Sequence, residues 1–154
     1  MIRKILALSL LLVFAFACTK EKDVDFGAID KQIIEDYLTA HNLTAQSTAS
    51  GLYYIISVPG GSVHPSISSS VSAKYKGYLA DGTVFDQTTT APVTFPLSQV
   101  IRGWQEGLPL IGAGGKIKLL IPSALGYGDK VVGSIPRNSV LIFDVELVSV
   151  ISNK

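Results

Sequence analysis

Alternation between apolar and polar residues along the last hundred residues limits the fold of this chain more than any other feature. SVSAKYKGYL (70–79), KIKLLI (116–121) and SVLIFDVELVSV (139–150) place their apolar side chains mostly at odd-numbered positions. A period of two is typical of a β-strand that buries one face. The sequence therefore predicts three strands, each with one side turned toward a core.

Shorter segments extend this predicted sheet. LYYIISV (52–58) is rich in β-forming residues, and VTFPL (93–97) is a short strand whose proline favours an edge or a bulge. Asp81-Gly82 predicts a hairpin turn. Between the strands, only Ile101–Leu110 is predicted to be helical, over about two turns. The predicted fold class is α+β, an antiparallel sheet curled over one short helix.

An amphipathic helix is predicted before the sheet. Apolar residues recur at helical spacing between Phe26 and His41, and acidic and basic residues fill the other face. Asn42 follows, and asparagine tolerates the left-handed conformation found just after helix ends. TAQSTASG (44–51) is interpreted as a linker. The helix is expected to pack on its own domain or serve as a stalk, which favours a monomer over a dimer formed through it.

The amino terminus has the pattern of an export signal. Two basic residues precede an apolar run, Ile5–Ala17, which is too short to span a bilayer comfortably and suits a signal-peptide core. The run ends in AFAC, which contains the single cysteine, Cys18. This arrangement resembles a bacterial lipobox, which implies cleavage before Cys18 and lipid attachment to it. The alternative is an ordinary signal peptide cleaved nearby.

These features predict three parts: a signal peptide at 1–17, a lipid-anchored tether with the amphipathic helix at 18–50, and a strand-rich domain at 51–151. Removing Arg3 and Lys4 with the signal lowers the basic residues from 13 to 11, against 12 acidic ones. A near-neutral chain without a basic run does not suit nucleic-acid binding. The expected location is the cell envelope, on a bacterial membrane, facing the periplasm or the surface.

The residues needed for covalent or metal catalysis are scarce. One cysteine, interpreted as lipidated, excludes an intrachain disulfide, a thiol nucleophile and a zinc site built on cysteine pairs. The only histidines are His41 and His64, and each is interpreted as a surface residue. GAGG (112–115) precedes a strand, which is the wrong context for a phosphate-binding loop. No metal and no cofactor are predicted.

Three segments of the strand-rich part carry a family resemblance: KYKGYLADGTVFD (74–86), PVTFPLSQVIRGWQEGL (92–108) and LGYGDKVVGSIPRNSVLIFDVELV (125–148). In this order and spacing they resemble the FKBP-type peptidyl-prolyl cis-trans isomerases, over residues 51–151. The resemblance implies an antiparallel half-barrel sheet wrapped around one short helix. That fold agrees with the class predicted from the alternation alone.

The resemblance also implies an apolar pocket built on the only tryptophan. Trp104 is expected to form the floor, while the Ile101 backbone N–H and the Tyr127 hydroxyl bond to ligand carbonyls. The residues assigned to catalysis are Tyr75, Phe85, Asp86, Trp104, Tyr127 and Phe143, and those assigned to substrate binding are Val93, Val100, Ile101 and Ile135. Without the resemblance, the apolar members would be interpreted as core residues. Nothing in the alternation predicts that the adjacent Phe85 and Asp86 line one pocket.

The implied function is a prolyl isomerase that assists the folding of exported proteins, with proline-containing unfolded or nascent polypeptides as partners. The alternative is a non-catalytic chaperone or proline-peptide binding module on the same fold. Two departures from the family favour that alternative. Val93 stands where many active members have an aromatic wall residue, and the DKVVGS flap (129–134) lacks the His-Pro of some relatives. Macrolide inhibitors are also implied as ligands.

Overall fold

The computed structural model describes residues 24–151, so Cys18 and the predicted signal peptide lie outside the described residues. No helix between residues 24 and 151 is long and apolar enough to cross a membrane. The described helices are α1 (Phe26–Ala40), α2 (Arg102–Gly107) and the short 3₁₀ helices Leu97–Gln99, Leu108–Leu110 and Ser123–Leu125. The described strands are β1 (Gln46–Ser47), β2 (Tyr53–Val58), β3 (Ser70–Leu79), β4 (Val84–Gln87), β5 (Val93–Pro96), β6 (Lys116–Ile121) and β7 (Leu141–Ile151).

The strands form one antiparallel sheet in the order β1-β2-β6-β7-β3-β4, with β5 also paired to β3. β4 pairs with Lys76–Tyr78, and β5 pairs with Ser70–Ala73, so two short strands share one edge of the long β3. Pro96 lies at the end of β5, as expected for an edge strand. The predicted α+β class, an antiparallel sheet with one short helix, is confirmed.

The inner face of the sheet packs on α2 and forms the main core. The predicted inward residues of β6 and β7 lie in one buried cluster with Trp104 and Leu108. Burying each large aliphatic side chain fully contributes about 1.5–3 kcal/mol relative to exposure. The cluster members on the two strands are Ile117, Leu119, Ile121, Leu141, Phe143, Val145 and Leu147. The period of two therefore predicted the buried face of both strands correctly.

Two glycines explain why the tryptophan lies on so short and glycine-rich a segment. Gly103 and Gly107 are buried on the face of α2 that meets β6. A Cβ atom on Gly103 would lie 2.5 Å from Ile121 Cγ2, and one on Gly107 would lie 2.5 Å from Leu119 Cδ2. Since real contacts of this kind are longer, only glycine allows the helix to lie this close to the sheet.

The outer face of the sheet is partly covered by α1. Ile34 of α1 packs in a second buried cluster with Tyr78, Leu120 and Ile142. Tyr78 has an even number and therefore belongs to the face of β3 that the alternation predicts to be polar, but α1 buries it. Its hydroxyl donates to Asp144 Oδ2 at 3.0 Å. The alternation identified the two faces of the strand, but it did not show that a helix from outside the sheet covers the second one.

The predicted amphipathic helix is confirmed at Phe26–Ala40. Asp25 caps its start, because Asp25 Oδ1 accepts a hydrogen bond from the Ala28 N–H at 3.1 Å. Asn42 has a φ of 52°, the left-handed conformation expected after the helix. The interpretation of residues 44–51 as a linker is wrong in part. Gln46–Ser47 form β1, since their backbone groups pair with the edge of β2.

We expect Gly103→Ala to lower the free energy of unfolding by about 1–3 kcal/mol, the usual cost of overpacking a core. The added methyl meets Ile121, which is fully buried and, as a β-branched residue, is restricted at χ1. The measurement is urea unfolding followed by tryptophan fluorescence. Gly61→Ala is the matched control, because the nearest atom to its added Cβ is 3.5 Å away. Equal stability of the two variants would contradict the close packing of α2.

Candidate functional site

The concave face of the sheet holds an open cavity of about 540 Å³ beside α2. The residues that line it come from β3, β4, β5, α2 and β7, from the segment just before α2, and from the loop after β6. The lining residues are Tyr75, Phe85, Asp86, Phe95, Gln99, Val100, Ile101, Trp104, Tyr127, Val132, Gly133, Ser134, Ile135 and Phe143. Most of these side chains are aromatic or aliphatic, so the cavity is chiefly apolar.

Trp104 forms the base of the cavity and is only 4% exposed. Three other aromatic rings pack against the indole at steep interplanar angles. The ring centroid of Trp104 lies 5.3 Å from Tyr75, 5.3 Å from Phe143 and 5.5 Å from Phe95, all in T-shaped arrangements. Such edge-to-face pairs add about 0.5–1.5 kcal/mol each beyond their buried area. The indole is therefore held in one orientation, and its exposed part belongs to the cavity.

Phe85 and Asp86 both reach the cavity because β4 contains a bulge. Gly77 pairs with Asp86 and Tyr78 pairs with Val84, so Phe85 is an extra residue without a partner on β3. A bulge interrupts the alternation of side chains and allows two neighbours to face one side. The rings of Phe85 and Phe143 then pack in a T-shaped arrangement, with their centroids 5.4 Å apart. This is the local reason for a pair that the alternation did not predict.

Gly77 makes room for these rings. A Cβ atom at this position would lie 2.6 Å from Phe143 Cε1 and 2.6 Å from Phe85 Cε2. Any larger residue on this part of β3 would push both rings out of the cavity wall. The glycine is therefore part of the cavity, although it does not line it.

The polar groups at the cavity edge are few and are of two kinds. The Tyr75 hydroxyl donates to Asp86 Oδ2 at 2.7 Å, which fixes both side chains. Burial, followed by the hydrogen bond to Asp86 and the charge of Asp86, raises the pKa of Tyr75 to about 12. The Tyr127 hydroxyl and the Ile101 N–H, by contrast, have no hydrogen-bond acceptor among residues 24–151. These two donors remain available to a ligand.

The Ile101 N–H is held in place by its neighbours. The Ile101 carbonyl accepts the N–H groups of Trp104 and Gln105, at 3.0 and 3.2 Å. The Gln105 side chain returns to the Val100 carbonyl at 2.7 Å. The segment before α2 is thus fixed on both sides of this peptide group.

The flap closes on itself at the open side of the cavity. Val132 and Ile135 exchange two backbone hydrogen bonds, at 3.1 and 2.9 Å, and the turn between them contains Gly133 with a φ of 56°. Val132, Gly133 and Ser134 therefore face the cavity. The sequence assignment included Ile135 from this segment but omitted the turn itself.

The structure brings nine of the ten residues assigned from the sequence to one cavity. Val93 is not among the lining residues and is 48% exposed. Phe95, two residues further along β5, stands at the wall and packs on Trp104. An aromatic residue therefore stands at this wall, and the assignment of Val93 to substrate binding stays a prediction. The period of two in VTFPL put Val93 and Phe95 on the same face, but it did not show which of them lies over the tryptophan.

Other lining residues were also missed in the sequence assignment. Gln99 ends the three-residue 3₁₀ helix Leu97–Gln99, and Ser134 lies in the flap turn. Both segments are too short for a periodic pattern to identify an inward side chain. Among the lining residues, only Asp86 and the two tyrosines carry an ionisable side chain, and Asp86 is bonded to Tyr75. The site is thus suited to holding an apolar group under two free donors, rather than to nucleophilic attack or proton transfer.

Residues 61–148 match the sequence profile of the family described as FKBP-type peptidyl-prolyl cis-trans isomerase. Among the relatives, the FKBP-type peptidyl-prolyl cis-trans isomerase FkpA of Aeromonas hydrophila is 45% identical over 137 residues, which cover 86% of this chain and 51% of the relative. The protein of the same name from Escherichia coli K12 is 44% identical over 133 residues, which cover 84% of this chain and 48% of the relative. The chain thus spans about half the length of these relatives.

Solved structures are similar as well. The crystal structure of FkpA from Escherichia coli matches with a TM-score of 0.73 and 40% identity, over 82% of this chain and 61% of that one. A peptidyl-prolyl cis-trans isomerase from Pseudomonas syringae pv. tomato matches with a TM-score of 0.70 and 31% identity, over 84% of this chain and 98% of that one.

We expect Tyr75 to keep its proton until about pH 12. A pKa raised in the folded state stabilises the protein fully below the unfolded value of 10.0, and that contribution is lost as pH rises through 12. The measurement is tyrosinate absorbance against pH for the parent and for Tyr75→Phe, whose difference curve reports this residue alone. Asp86→Asn should move the midpoint part of the way back toward 10, since burial is the larger cause. A difference curve centred near 10 would contradict the raised pKa of Tyr75.

Proposed function

The chain belongs to the FKBP-type peptidyl-prolyl cis-trans isomerases, and from this membership and the cavity we propose that it accelerates the isomerisation of Xaa-Pro peptide bonds. One observation carries the proposal. An aromatic cavity with Trp104 at its base lies next to two hydrogen-bond donors, the Ile101 N–H and the Tyr127 hydroxyl. Neither donor has an acceptor among residues 24–151. A proline ring is an apolar group that fits such a base, and its flanking carbonyls are acceptors for the donors.

The proposed mechanism follows from the chemistry of the amide bond. Rotation about a peptide bond crosses a barrier of about 18–20 kcal/mol, because the twisted amide loses its resonance. The carbonyl of the twisted amide is less polar than that of the planar ground state. An apolar cavity removes water from both, but the planar form loses more hydration energy. The cavity therefore binds the transition state more tightly than the ground state, and no nucleophile or metal is needed.

The required differential binding is modest. An acceleration of about 10⁴-fold corresponds to roughly 5–6 kcal/mol. Trp104, Phe95 and Phe143 supply shape and desolvation around the proline ring. The Ile101 N–H and the Tyr127 hydroxyl each donate a hydrogen bond to a carbonyl of the bound peptide when its amide is twisted. Each such bond contributes about 0.5–1.5 kcal/mol. Tyr75 and Asp86, bonded to each other, keep the opposite wall rigid.

The proposed clients are proline-containing unfolded or nascent polypeptides exported to the cell envelope. The apolar run before Cys18 supports export, and the lipobox-like AFAC sequence supports anchoring through a lipid on Cys18. Apolar side chains at the cavity mouth add surface for an unfolded chain, since Val131 on the flap is 62% exposed. This mouth is also the feature that favours the second candidate, a binding module without catalysis.

We expect the full chain, purified in mild detergent, to accelerate cis-trans isomerisation of Xaa-Pro tetrapeptides. Tyr127→Phe should lower kcat/KM by about 2–10-fold, the worth of one hydrogen bond. Trp104→Ala should lower it by at least about 100-fold, because the base of the cavity is removed; Trp104→Phe keeps an aromatic ring in case the alanine variant does not fold.

Tyr54→Phe is the matched control. It also removes one hydroxyl, but Tyr54 bonds to Gln46 on the far edge of the sheet, so kcat/KM should be unchanged. A folded parent without any acceleration that still binds proline peptides would contradict the isomerase and favour the binding module. An equal loss in Tyr54→Phe and Tyr127→Phe would contradict the role given to Tyr127.

We expect Cys18→Ser to abolish lipid attachment when the chain is expressed in a bacterium. The variant should then leave the membrane fraction, or accumulate as a precursor that keeps its signal peptide. The thiol is the attachment point for the lipid, and serine does not replace it. The measurement is metabolic labelling with a fatty-acid analogue together with membrane fractionation. Labelling of Cys18→Ser equal to that of the parent would contradict lipidation at this residue.

A further inference from the structure

Asp30 is an acidic residue on the side of α1 that faces the rest of the protein, and it is only 1% exposed. Its Oδ2 atom accepts two hydrogen bonds from a single residue, Ser123: one from the backbone N–H at 2.8 Å and one from the hydroxyl at 2.6 Å. Its Oδ1 atom has no hydrogen-bond partner among residues 24–151. α1 is thus tied to the segment that follows β6 by one buried side chain.

This arrangement is costly if its only purpose is to attach the helix. Burying a carboxyl group with one oxygen unpaired carries a desolvation penalty that an aliphatic residue of similar size avoids. The neighbouring Ile34 already attaches α1 by packing against Tyr78, Leu120 and Ile142. The position and bonding of Asp30 therefore point to the fixing of Ser123, rather than to helix packing in general.

Ser123 is the hub of the turn that carries a pocket residue. Its carbonyl accepts the N–H of Gly126 at 3.0 Å and the N–H of Gly128 at 2.9 Å. These two glycines flank Tyr127, whose side chain lines the cavity. The Gly128 carbonyl in turn accepts the N–H of Asn138 at 2.7 Å, which closes the base of the flap. A continuous series of hydrogen bonds thus runs from α1 to the cavity wall.

We propose that Asp30 is a positioning residue for the cavity, which sets the Tyr127 hydroxyl in place through Ser123. The proposal rests on the isomerase function stated above and adds to it that α1 contributes to the site from the opposite face of the sheet. α1 is then needed for the geometry of the cavity, and is more than a connection to the amino-terminal segment.

Two substitutions of Asp30 distinguish loss of its hydrogen bonds to Ser123 from loss of its negative charge. Asp30→Leu removes both hydrogen bonds and keeps a side chain of similar size. Asp30→Asn keeps an oxygen for Ser123 and places its amide where Oδ1 has no partner, so it is the conservative rescue. Ile34→Ala is the matched control, because it weakens the apolar packing of α1 and leaves the hydrogen-bonding groups of Asp30 and Ser123 in place. Each variant is made in the full chain, with and without Tyr127→Phe.

The first measurement is kcat/KM on one Xaa-Pro peptide, at a temperature where all variants are folded. We expect Asp30→Leu to lose about tenfold, which corresponds to roughly 1.4 kcal/mol, and Asp30→Asn to stay within about twofold of the parent. If Asp30 acts through Tyr127, Asp30→Leu should cost little more when Tyr127→Phe is already present. Full additivity of these two losses would overturn the proposal.

The second measurement does not depend on activity. Amide hydrogen exchange of Gly126 and Gly128, referred to the core amide of Leu119, should be about tenfold faster in Asp30→Leu and unchanged in Ile34→Ala. Unchanged relative exchange in Asp30→Leu would overturn the proposal even if the enzyme is active. Faster exchange in a chain that shows no isomerase activity would instead support the tie between Asp30 and the turn, while contradicting the proposed function.

Discussion

The close contact between α2 and β6 is the constraint on which the rest of the site depends. Gly103 and Gly107 leave no side chain between the helix and the sheet, so the backbone of α2 lies directly on Ile121 and Leu119. Trp104, on the same short helix, is thereby directed into the concave face. A helix of ordinary composition would stand further off, and the rings of Tyr75, Phe95 and Phe143 would no longer meet the indole edge-on.

The irregular edge of the sheet turns this core into a cavity. A regular strand opposite β3 would close the concave face with alternating side chains, and half of them would point away. Instead, β4 and β5 each cover only part of β3, and the bulge at Phe85 directs two neighbouring residues inward. An aromatic surface remains open there, bordered by few polar groups. An amide that becomes less polar as it twists is favoured by such a surface, and the proposed isomerisation requires no nucleophile for this reason.

The two faces of the sheet are not independent. The inner face carries the cavity, and the outer face carries α1, held by Ile34 in a small apolar cluster. Around this cluster, Tyr78 bonds to Asp144, and Lys118 Nζ lies 2.6 Å from Asp144 Oδ1. The carboxyl group of Asp30 accepts hydrogen bonds from Ser123, in the turn that follows β6 and precedes Tyr127. The packing of Ile34 and the hydrogen bonds of Asp30 thus connect α1 both to the outer face of the sheet and to the turn before Tyr127.

The sequence by itself determined the two helices and every strand except the two-residue β1, because alternation and helical spacing depend on local geometry. The family motifs in the sequence indicated most of the cavity residues. Tertiary structure alone decided the rest. Phe95 rather than Val93 stands over Trp104, since a period of two identifies a face but not the position along it. Tyr78 is buried because α1 happens to cover it. Asp30 meets Ser123 across 93 residues of chain, a distance at which no local pattern carries information.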